Sequence, residues 1–245
     1  MFSIFTKHVF LADFLENAID MHCHILPCID DGSTAMEVSK KMAELYKSLG
    51  YCGVIATPHI MEDYYYNTAV SITDCLVMFN KEMPITLKLP YRAAAEYMLD
   101  SGFNILLGKK ELLTVSENKL LVEMSYFQKS MHTEQQIFDI QNYGYVPVLA
   151  HPERYNYMTP SESIELKRRG CLLQLNLLSL SSHYGGDVQR KAFQLLTENA
   201  ITFVATDAHK PEHLEKIKQI QISKKLEKPL QKAFSNTKES FGPTF

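Results

Sequence analysis

Nine side chains in this sequence carry atoms suited to metal chemistry, and they fall in short clusters. His22 and His24 stand in IDMHCH, Asp31 in DDGS, His59 in GVIATPH and Glu96 in AAAEY. Glu123 follows in KLLVEM, His151 in VPVLAHPER, and Asp207 with His209 in ITFVATDAH. Imidazole nitrogens mixed with carboxylate oxygens, without thiolates, suit Mn2+, Fe2+, Co2+ or Zn2+ and disfavour soft copper sites. Residues i and i+2 of a strand share a face, so His22 and His24 can reach one ion while Cys23 points away. Asp31 is preferred to Asp30 as a ligand because it directly precedes Gly32 of the loop.

Most of these clusters close a short apolar run, and each run reads as a buried strand. A strand that is apolar throughout and ends in a His or a carboxylate resembles one spoke of a parallel α/β barrel, whose strand C-termini converge on one pocket. The spacing predicts strand 19–24 then helix 34–49, strand 53–56 then helix 68–82, and strand 85–95 then a short helix 99–106. Strand 119–123 with helix 132–143, strand 146–149 with helix 161–169, strand 171–176 with helix 187–199, and strand 202–205 with helix 211–221 complete the series. Seven such βα units with right-handed crossovers favour a closed, TIM-like (β/α)7 barrel over an open doubly wound sheet. No Gly-rich phosphate loop follows any strand, which removes support for nucleotide binding. Residues 223–245 are polar with two prolines and read as a surface strap or loose tail beyond a core at about 19–222.

At 245 residues and 46% hydrophobic content the chain can bury one large core, and a single domain is expected. A formal charge of −3 and a pI near 6.3 leave no basic footprint for nucleic acid. In the N-terminal segment 1–20, Lys7, Asp13 and Glu16 interrupt every apolar stretch before a signal-peptide core or membrane span can form. A cytoplasmic location without membrane insertion is therefore expected. The five cysteines, Cys23, Cys28, Cys52, Cys75 and Cys171, have neither disulfide-framework nor zinc-knuckle spacing and read as reduced thiols.

The runs DMHCHILPCIDDGS (20–33), ATPHIMEDYYYNT (56–68), AAAEY (93–97), AHPERY (150–155) and TDAH (206–209), with Glu123 at a strand end, resemble the polymerase and histidinol phosphatase (PHP) superfamily. More narrowly, they are similar to its bacterial manganese-dependent protein-tyrosine phosphatases, which are associated with capsule and exopolysaccharide export. The resemblance runs from about residue 19 to 215. It implies a distorted seven-stranded barrel holding three divalent metal ions, manganese foremost, at the strand C-termini. By the same resemblance His22, His24, Glu96 and Asp207 hold the first ion. Glu96 as a bridge, Glu123 and His151 hold the second, and Asp31, His59 and His209 the third. Arg154, Asp207 and His209 are implied as catalytic. The implied substrate is the tyrosine-phosphorylated tail of a bacterial kinase that controls polysaccharide assembly.

Four ionised carboxylates, Asp31, Glu96, Glu123 and Asp207, against three divalent ions leave roughly +2, a trap for a phosphate dianion. Such ions polarise phosphoryl oxygens and lower the pKa of a bound water from 15.7 towards about 7, which yields hydroxide for in-line attack. Arg154, three residues after His151, is placed to fork onto phosphate oxygens. Paired with Glu153 or Asp207 it would instead be structural. An aryl ester departs as a phenolate of pKa about 10, with less need of a general acid than a serine alkoxide. Where the family pattern places Asn, and sometimes a second Arg, after TDAH, this chain has Lys210, Pro211, Glu212 and His213. Lys210 and His213 are the candidates for a second phosphate contact. Tyr64, Tyr65 and Tyr66 could form an aromatic lip, while His8, His132 and His183 read as surface or capping residues.

A cysteine-dependent tyrosine phosphatase needs an Arg six residues after its Cys. The five cysteines have Ile29, Thr34, Pro58, Lys81 and Leu177 there, so that mechanism is excluded. A metal-dependent amidohydrolase also uses HxH and a late Asp, but normally a carboxylated lysine where this chain has Glu96. A small-molecule phosphatase, such as a histidinol-phosphate phosphatase, and a non-catalytic metal-bound scaffold are the alternatives.

Overall fold

A computed structural model of the chain describes residues 8–242. Residues 1–7, where the N-terminal segment begins, and 243–245, where the expected strap ends, lie outside the described residues. The strands, in chain order, are β1 (His8–Phe10), β2 (Ile19–Cys23), β3 (Gly53–Ala56), β4 (His59–Ile60), β5 (Tyr91–Ala93) and β6 (Glu96–Met98). They continue with β7 (Lys119–Glu123), β8 (Val146–Ala150), β9 (Leu172–Asn176), β10 (Phe203–Ala205) and β11 (Gln221–Ser223). Between and after them run helices α1 (Met36–Ser48), α2 (Ala69–Glu82), α3 (Ser101–Lys109) and α4 (Thr133–Asn142). Helices α5 (Pro160–Arg168), α6 (Gly186–Thr197), α7 (Pro211–Gln219) and α8 (Glu227–Phe241) follow.

The expected alternation folds as parallel sheets. Strands β10, β9, β8, β7, β6 and β4 form one sheet in that order, β2, β3 and β5 a second, and β1 pairs with β11 in an antiparallel ribbon. Two of the expected spokes are split between the sheets. Pro58 parts β3 from β4, because proline has no N–H for the ladder, and Ala94 with Ala95 parts β5 from β6. Hydrogen bonds continue through both kinks, from Ala94 N to Ala56 O (2.8 Å) and from Glu96 N to Pro58 O (3.2 Å). The outer edges of β2 and β10 approach through a parallel bridge between Cys23 and Ala208.

Strand β8 is apolar throughout, and β7 is apolar between Lys119 and Glu123 at its ends, because both faces are covered. Leu121 and Val148 turn into an enclosed cluster with Met21, Ile55 and Phe203, while Leu120, Val122 and Leu149 pack in the larger core with the helices. The pairing of β2 with β3 slips between Asp20 and Cys23. Such a bulge re-aims side chains; here Met21 fills the interior while the next residue, His22, faces the mouth. Beneath the mouth, buried Asp20 accepts hydrogen bonds from Tyr46 Oη (2.6 Å), Thr206 Oγ1 (2.5 Å) and Thr206 N (3.0 Å), tying β2 to α1 and to the residue after β10.

Two expectations change. Of the strand expected at 85–95, Ile85–Leu87 is a 3-10 turn bracketed by Pro84 and Pro90, and the strand begins at Tyr91. Where a strap or loose tail was expected, the chain forms α8, with Leu230, Ala233, Thr237 and Phe241 buried. Their three- and four-residue spacing makes one helical face, and Pro229 falls in the first turn, where its missing N–H costs nothing. The Phe241 ring meets Phe203 edge-on at 4.9 Å and so closes the interior from below. Among the described residues, no helix is long and apolar enough to cross a membrane.

Candidate metal centre

Strand register draws the nine candidates to one end of the sheets. Pairing of β4 with β6 sets His59 beside Glu96, and pairing of β6 with β7 sets Met98 beside Glu123. On the other side, Asp207 N donates to His22 O and His24 N to Ala208 O, both at 2.9 Å, which docks the loop after β10 onto the end of β2. His151 and Asp207 adopt left-handed backbone, at φ 35° and 49°. That conformation is uncommon for residues other than glycine and clusters at functional sites. All the candidates are buried except Asp31, which is exposed, and His209, which is half-buried.

Four atoms make the tightest group. His22 Nε2 lies 3.1 Å from Glu96 Oε2 and 3.2 Å from Asp207 Oδ1, and His24 Nε2 lies 3.4 Å and 3.3 Å from the same two oxygens. The two imidazole nitrogens are themselves 3.3 Å apart. The centre of a regular tetrahedron with such edges is about 2 Å from every corner, the length of a bond from zinc to nitrogen or oxygen. Asp207 Oδ1, Glu123 Oε1 and His59 Nδ1 are buried with no hydrogen-bond partner. They face other ligand atoms without the geometry of a hydrogen bond, and a cation between them would satisfy all of them.

Outer partners fix which imidazole nitrogens carry hydrogen. His22 Nδ1 is 3.0 Å from Gln174 Oε1, His24 Nδ1 is 2.7 Å from Asp30 Oδ2, and His209 Nδ1 is 2.9 Å from the Asp207 carbonyl oxygen. Each of those oxygens is an acceptor, so each Nδ1 donates and Nε2 is the nitrogen left to ligate an ion. Asp30, with its side chain buried, is thus the orienter of His24, and the exposed Asp31 faces His59 Nε2 (3.5 Å) and His209 Nε2 (3.6 Å).

The donor atoms gather into three groups. His22, His24, Glu96 and Asp207 form one, as expected from the resemblance. Asp31, His59 and His209 form another together with His24. The remaining group differs from expectation: Glu96 and Glu123 are joined by His59, whose Nδ1 is 2.8 Å from Glu123 Oε1. His151 instead sits on the other oxygen of Glu96, with Nε2 3.0 Å from Oε1, and Tyr126 Oη is 3.3 Å from both its nitrogens. His59 lies between two groups and offers one nitrogen to each, which no linear spacing discloses.

Charge follows the same geometry. Burial opposes a proton on His22, yet Glu96 and Asp207 outweigh it and hold its pKa at about 10. Burial likewise opposes His59, and Glu123 with Glu96 holds it at about 9. Burial would raise Glu96, but His22 and His59 keep it well below the usual carboxylate range. Glu123 is pushed up by burial and by neighbouring Glu96. Burial and the Arg154 charge push His151 down to about 4, and burial with His24 does the same to His209. Carboxylates crowded in one buried space hold protons on His22 and His59 in place of a cation, which an ion bound there would displace.

Arg154 lies over this site. Its Nη1 donates to Asp207 Oδ2 at 2.7 Å, and its guanidinium is held between the rings of Tyr184 (4.2 Å) and Tyr126 (4.8 Å). A cleft of about 720 Å³ opens from Asp31 and His209 past Arg154 and Tyr184 to His183 and Lys210. Lys210 is exposed on its wall. His213, the other candidate for a second phosphate contact, accepts from His209 N through Nδ1 at 3.3 Å. In the tyrosine run only Tyr65 reaches the site, stacked on His59 at 5.5 Å, while Tyr64 and Tyr66 are 71% and 76% exposed.

Sequence reasoning missed Gln174, Asn176, Tyr126 and Tyr184. The first two carried a signal: LLQLN places polar residues at i and i+2 of an otherwise apolar strand, so both face the same buried space. Tyr126 sits in a loop and Tyr184 ends a short 3-10 turn, and neither carried one.

A family model described as "Capsular polysaccharide synthesis, CpsB/CapC" matches residues 18–237. The tyrosine-protein phosphatase YwqE of Bacillus subtilis is 33% identical over 196 residues, covering 78% of this chain and 77% of YwqE. The tyrosine-protein phosphatase CpsB of Streptococcus pneumoniae is 29% identical over 203 residues, covering 78% and 82%. Among solved structures, one reported with YwqE and CpsB as "unique metal-dependent tyrosine phosphatases" superposes with a TM-score of 0.74 at 29% identity, over 91% of this chain and 87% of that one. A phosphotriesterase homology protein from Escherichia coli superposes at 0.52 with 11% identity, over 92% and 98% of the two chains, a likeness of fold alone.

Proposed function

The chain belongs to the CpsB/CapC family of capsular polysaccharide synthesis, and from that membership we propose that it is a metal-dependent protein-tyrosine phosphatase. The observation that carries this reading is the convergence of His22, His24, Glu96 and Asp207 on one buried point, in a fold matched by metal-dependent tyrosine phosphatases. His22, His24, Glu96 and Asp207 would hold one ion, Asp31, His59 and His209 another, and Glu96, Glu123 and His151 a third. The departure of His59 Nδ1 towards Glu123 makes His59 a further candidate for that third position. When bound, divalent ions supply Lewis-acid polarisation of the phosphoryl group and acidify a water. The all-N/O donor set suits Mn2+, and equally Fe2+, Co2+ or Zn2+.

The protein's own groups do the rest. Arg154 is the phosphate clamp: a planar fork with several donors, pre-aligned by Tyr126 and Tyr184, meets the phosphoryl oxygens as negative charge builds on them. Asp207 and His209 flank the same point. Tyr65 and the cleft wall at Tyr184 offer aromatic faces to a phenyl ester, whose phenolate leaves without a strong general acid.

Finer points belong to the same proposal. The two parallel sheets act as one distorted seven-spoked barrel, with β3–β4 and β5–β6 as bent spokes and residues 1–245 as a single domain in which α8 belongs to the core. The substrate is the phosphotyrosine tail of a bacterial kinase of polysaccharide assembly, met in the cytoplasm, in keeping with five free thiols. The test is phosphate release by Mn2+-supplemented protein from a phosphotyrosine peptide, beside a phosphoserine peptide and histidinol phosphate, each with and without chelator. Chelator-sensitive release from phosphotyrosine is the expected result. Preference for histidinol phosphate would move the enzyme to small-molecule substrates, and no release from any would leave a scaffold.

A further inference from the structure

Two donors share one oxygen of Asp207. Oδ1 faces the imidazoles of His22 and His24, whereas Oδ2 accepts both Arg154 Nη1 (2.7 Å) and Asn176 Nδ2 (2.8 Å). The orientation of the Asn176 amide is set by its other end, where Oδ1 accepts Leu178 N at 2.8 Å. An acceptor there leaves only the NH2 group for Asp207. Asn176 is itself immobilised, since its backbone N–H donates to buried Glu153 Oε1 at 3.0 Å, and its Nδ2 also reaches Tyr184 Oη at 3.2 Å. Tyr184 in turn covers the Arg154 guanidinium.

Arg154 has two calls on it if it is the phosphate clamp of the proposed reaction, on which this inference rests. It neutralises Asp207 in the free enzyme and must turn donors towards the phosphate in the complex. When that happens Asp207 loses its stronger anchor, and the remaining one is a neutral amide that cannot reach the substrate because it is fully buried.

We propose that Asn176 is a positioning residue that holds the Asp207 carboxylate in its ligand orientation while Arg154 transfers from Asp207 to the substrate phosphate. In the free protein either donor suffices. In the complex only Asn176 does.

The test uses Asn176→Ser and Asn176→Ala: both remove the donor to Asp207, and serine keeps an acceptor for Leu178 N. Arg154→Ala and the Asn176→Ser/Arg154→Ala double variant complete a cycle read by Mn2+ titration calorimetry, Tm and turnover of a phosphotyrosine peptide. Each single variant is expected to bind Mn2+ within about threefold of wild type, and the double variant about 10- to 100-fold more weakly, well beyond the product of the singles. Asn176→Ser is expected to lose about tenfold in kcat with little change in Tm. Multiplicative Mn2+ affinities in the cycle, or wild-type kcat in both Asn176 variants, would overturn the proposal. Wild-type protein inert towards the peptide, with the Mn2+ cycle still non-multiplicative, would sink the phosphatase reading and leave the hold of Asn176 on Asp207 standing.

Discussion

His24 Nδ1 lies 2.7 Å from Asp30 Oδ2, and neither side chain is exposed. Asp30 also accepts from His59 N (3.1 Å) and Gly32 N (2.9 Å), so one carboxylate orients two candidate ligand residues and closes the loop that presents Asp31. Replacing it with Asn keeps the shape but removes the charge that strengthens His24 as a donor. Asp30→Asn should weaken Mn2+ binding by about 10- to 100-fold. Calorimetry giving wild-type affinity would show that Asp30 serves the loop alone.

Gly32 permits that loop to pass close to β2. A Cβ there would meet His24 O at 2.2 Å and His24 Cβ at 2.4 Å, and neither backbone nor Cβ can swing aside. Gly32→Ala should therefore cost about 1–3 kcal/mol of stability as an overpacked site, and displace His24 from its place beside Glu96 and Asp207. Chemical denaturation and metal content of the purified variant measure the two effects. Normal values of both would contradict the close approach.

Arg154→Lys retains a charge but not the planar fork or its stacking between Tyr126 and Tyr184. A loss of about 10²–10³ in kcat/KM towards a phosphotyrosine peptide is expected, of the size seen when an oxyanion donor is removed. Equal activity of the Lys and Arg enzymes would relegate Arg154 to pairing with Asp207.

Ion binding should be linked to pH. In chelator-stripped protein, burial opposes charge on His22 and His59, but the carboxylates win and hold their pKa values at about 10 and about 9, against 6.5 for an unperturbed histidine. A histidine raised on folding stabilises fully below its unfolded value, and that contribution is lost as pH rises through the folded one. The stripped protein should thus lose stability from these groups between about pH 7 and pH 10. At pH 7 both must shed protons to ligate, so Mn2+ binding should release protons and weaken as pH falls. Titration heats that do not vary between buffers of different ionisation enthalpy would refute this linkage.

Phe241 closes the interior at the end remote from the ligands, against Phe203. Phe241→Ala should cost about 3–5 kcal/mol through the cavity it leaves, while Mn2+ affinity of the folded protein is unchanged. A variant as stable as wild type in urea would mean that α8 is dispensable to the core.

The candidate ligands stood out in the sequence because both faces of these strands are buried. In VPVLAH every side chain before the His is apolar, and in ITFVATDAH only two threonines interrupt the apolar run, so a His or Asp at the end stands out. Gln174 and Asn176 obeyed the same rule in LLQLN, as polar residues in a strand that otherwise excludes them. The helices were legible from their apolar faces, except α8, whose charged residues on the outer face masked Leu230, Ala233 and Phe241 on the inner one.

The sequence by itself determined the candidate donor set, the strand-and-helix alternation and the lack of an Arg six residues after any cysteine, since each depends on residue type and short-range period. Tertiary structure alone decided the grouping. Whether His59 or His151 stands beside Glu123 depends on the kink at Pro58 and on the pairing of β4, β6 and β7. The shared hold of Arg154 and Asn176 on Asp207 depends on the end of β9 meeting the segments that follow β8 and β10. Distances of 2.7 Å and 2.8 Å between residues 53 and 31 positions apart arise only when the whole sheet has set their places.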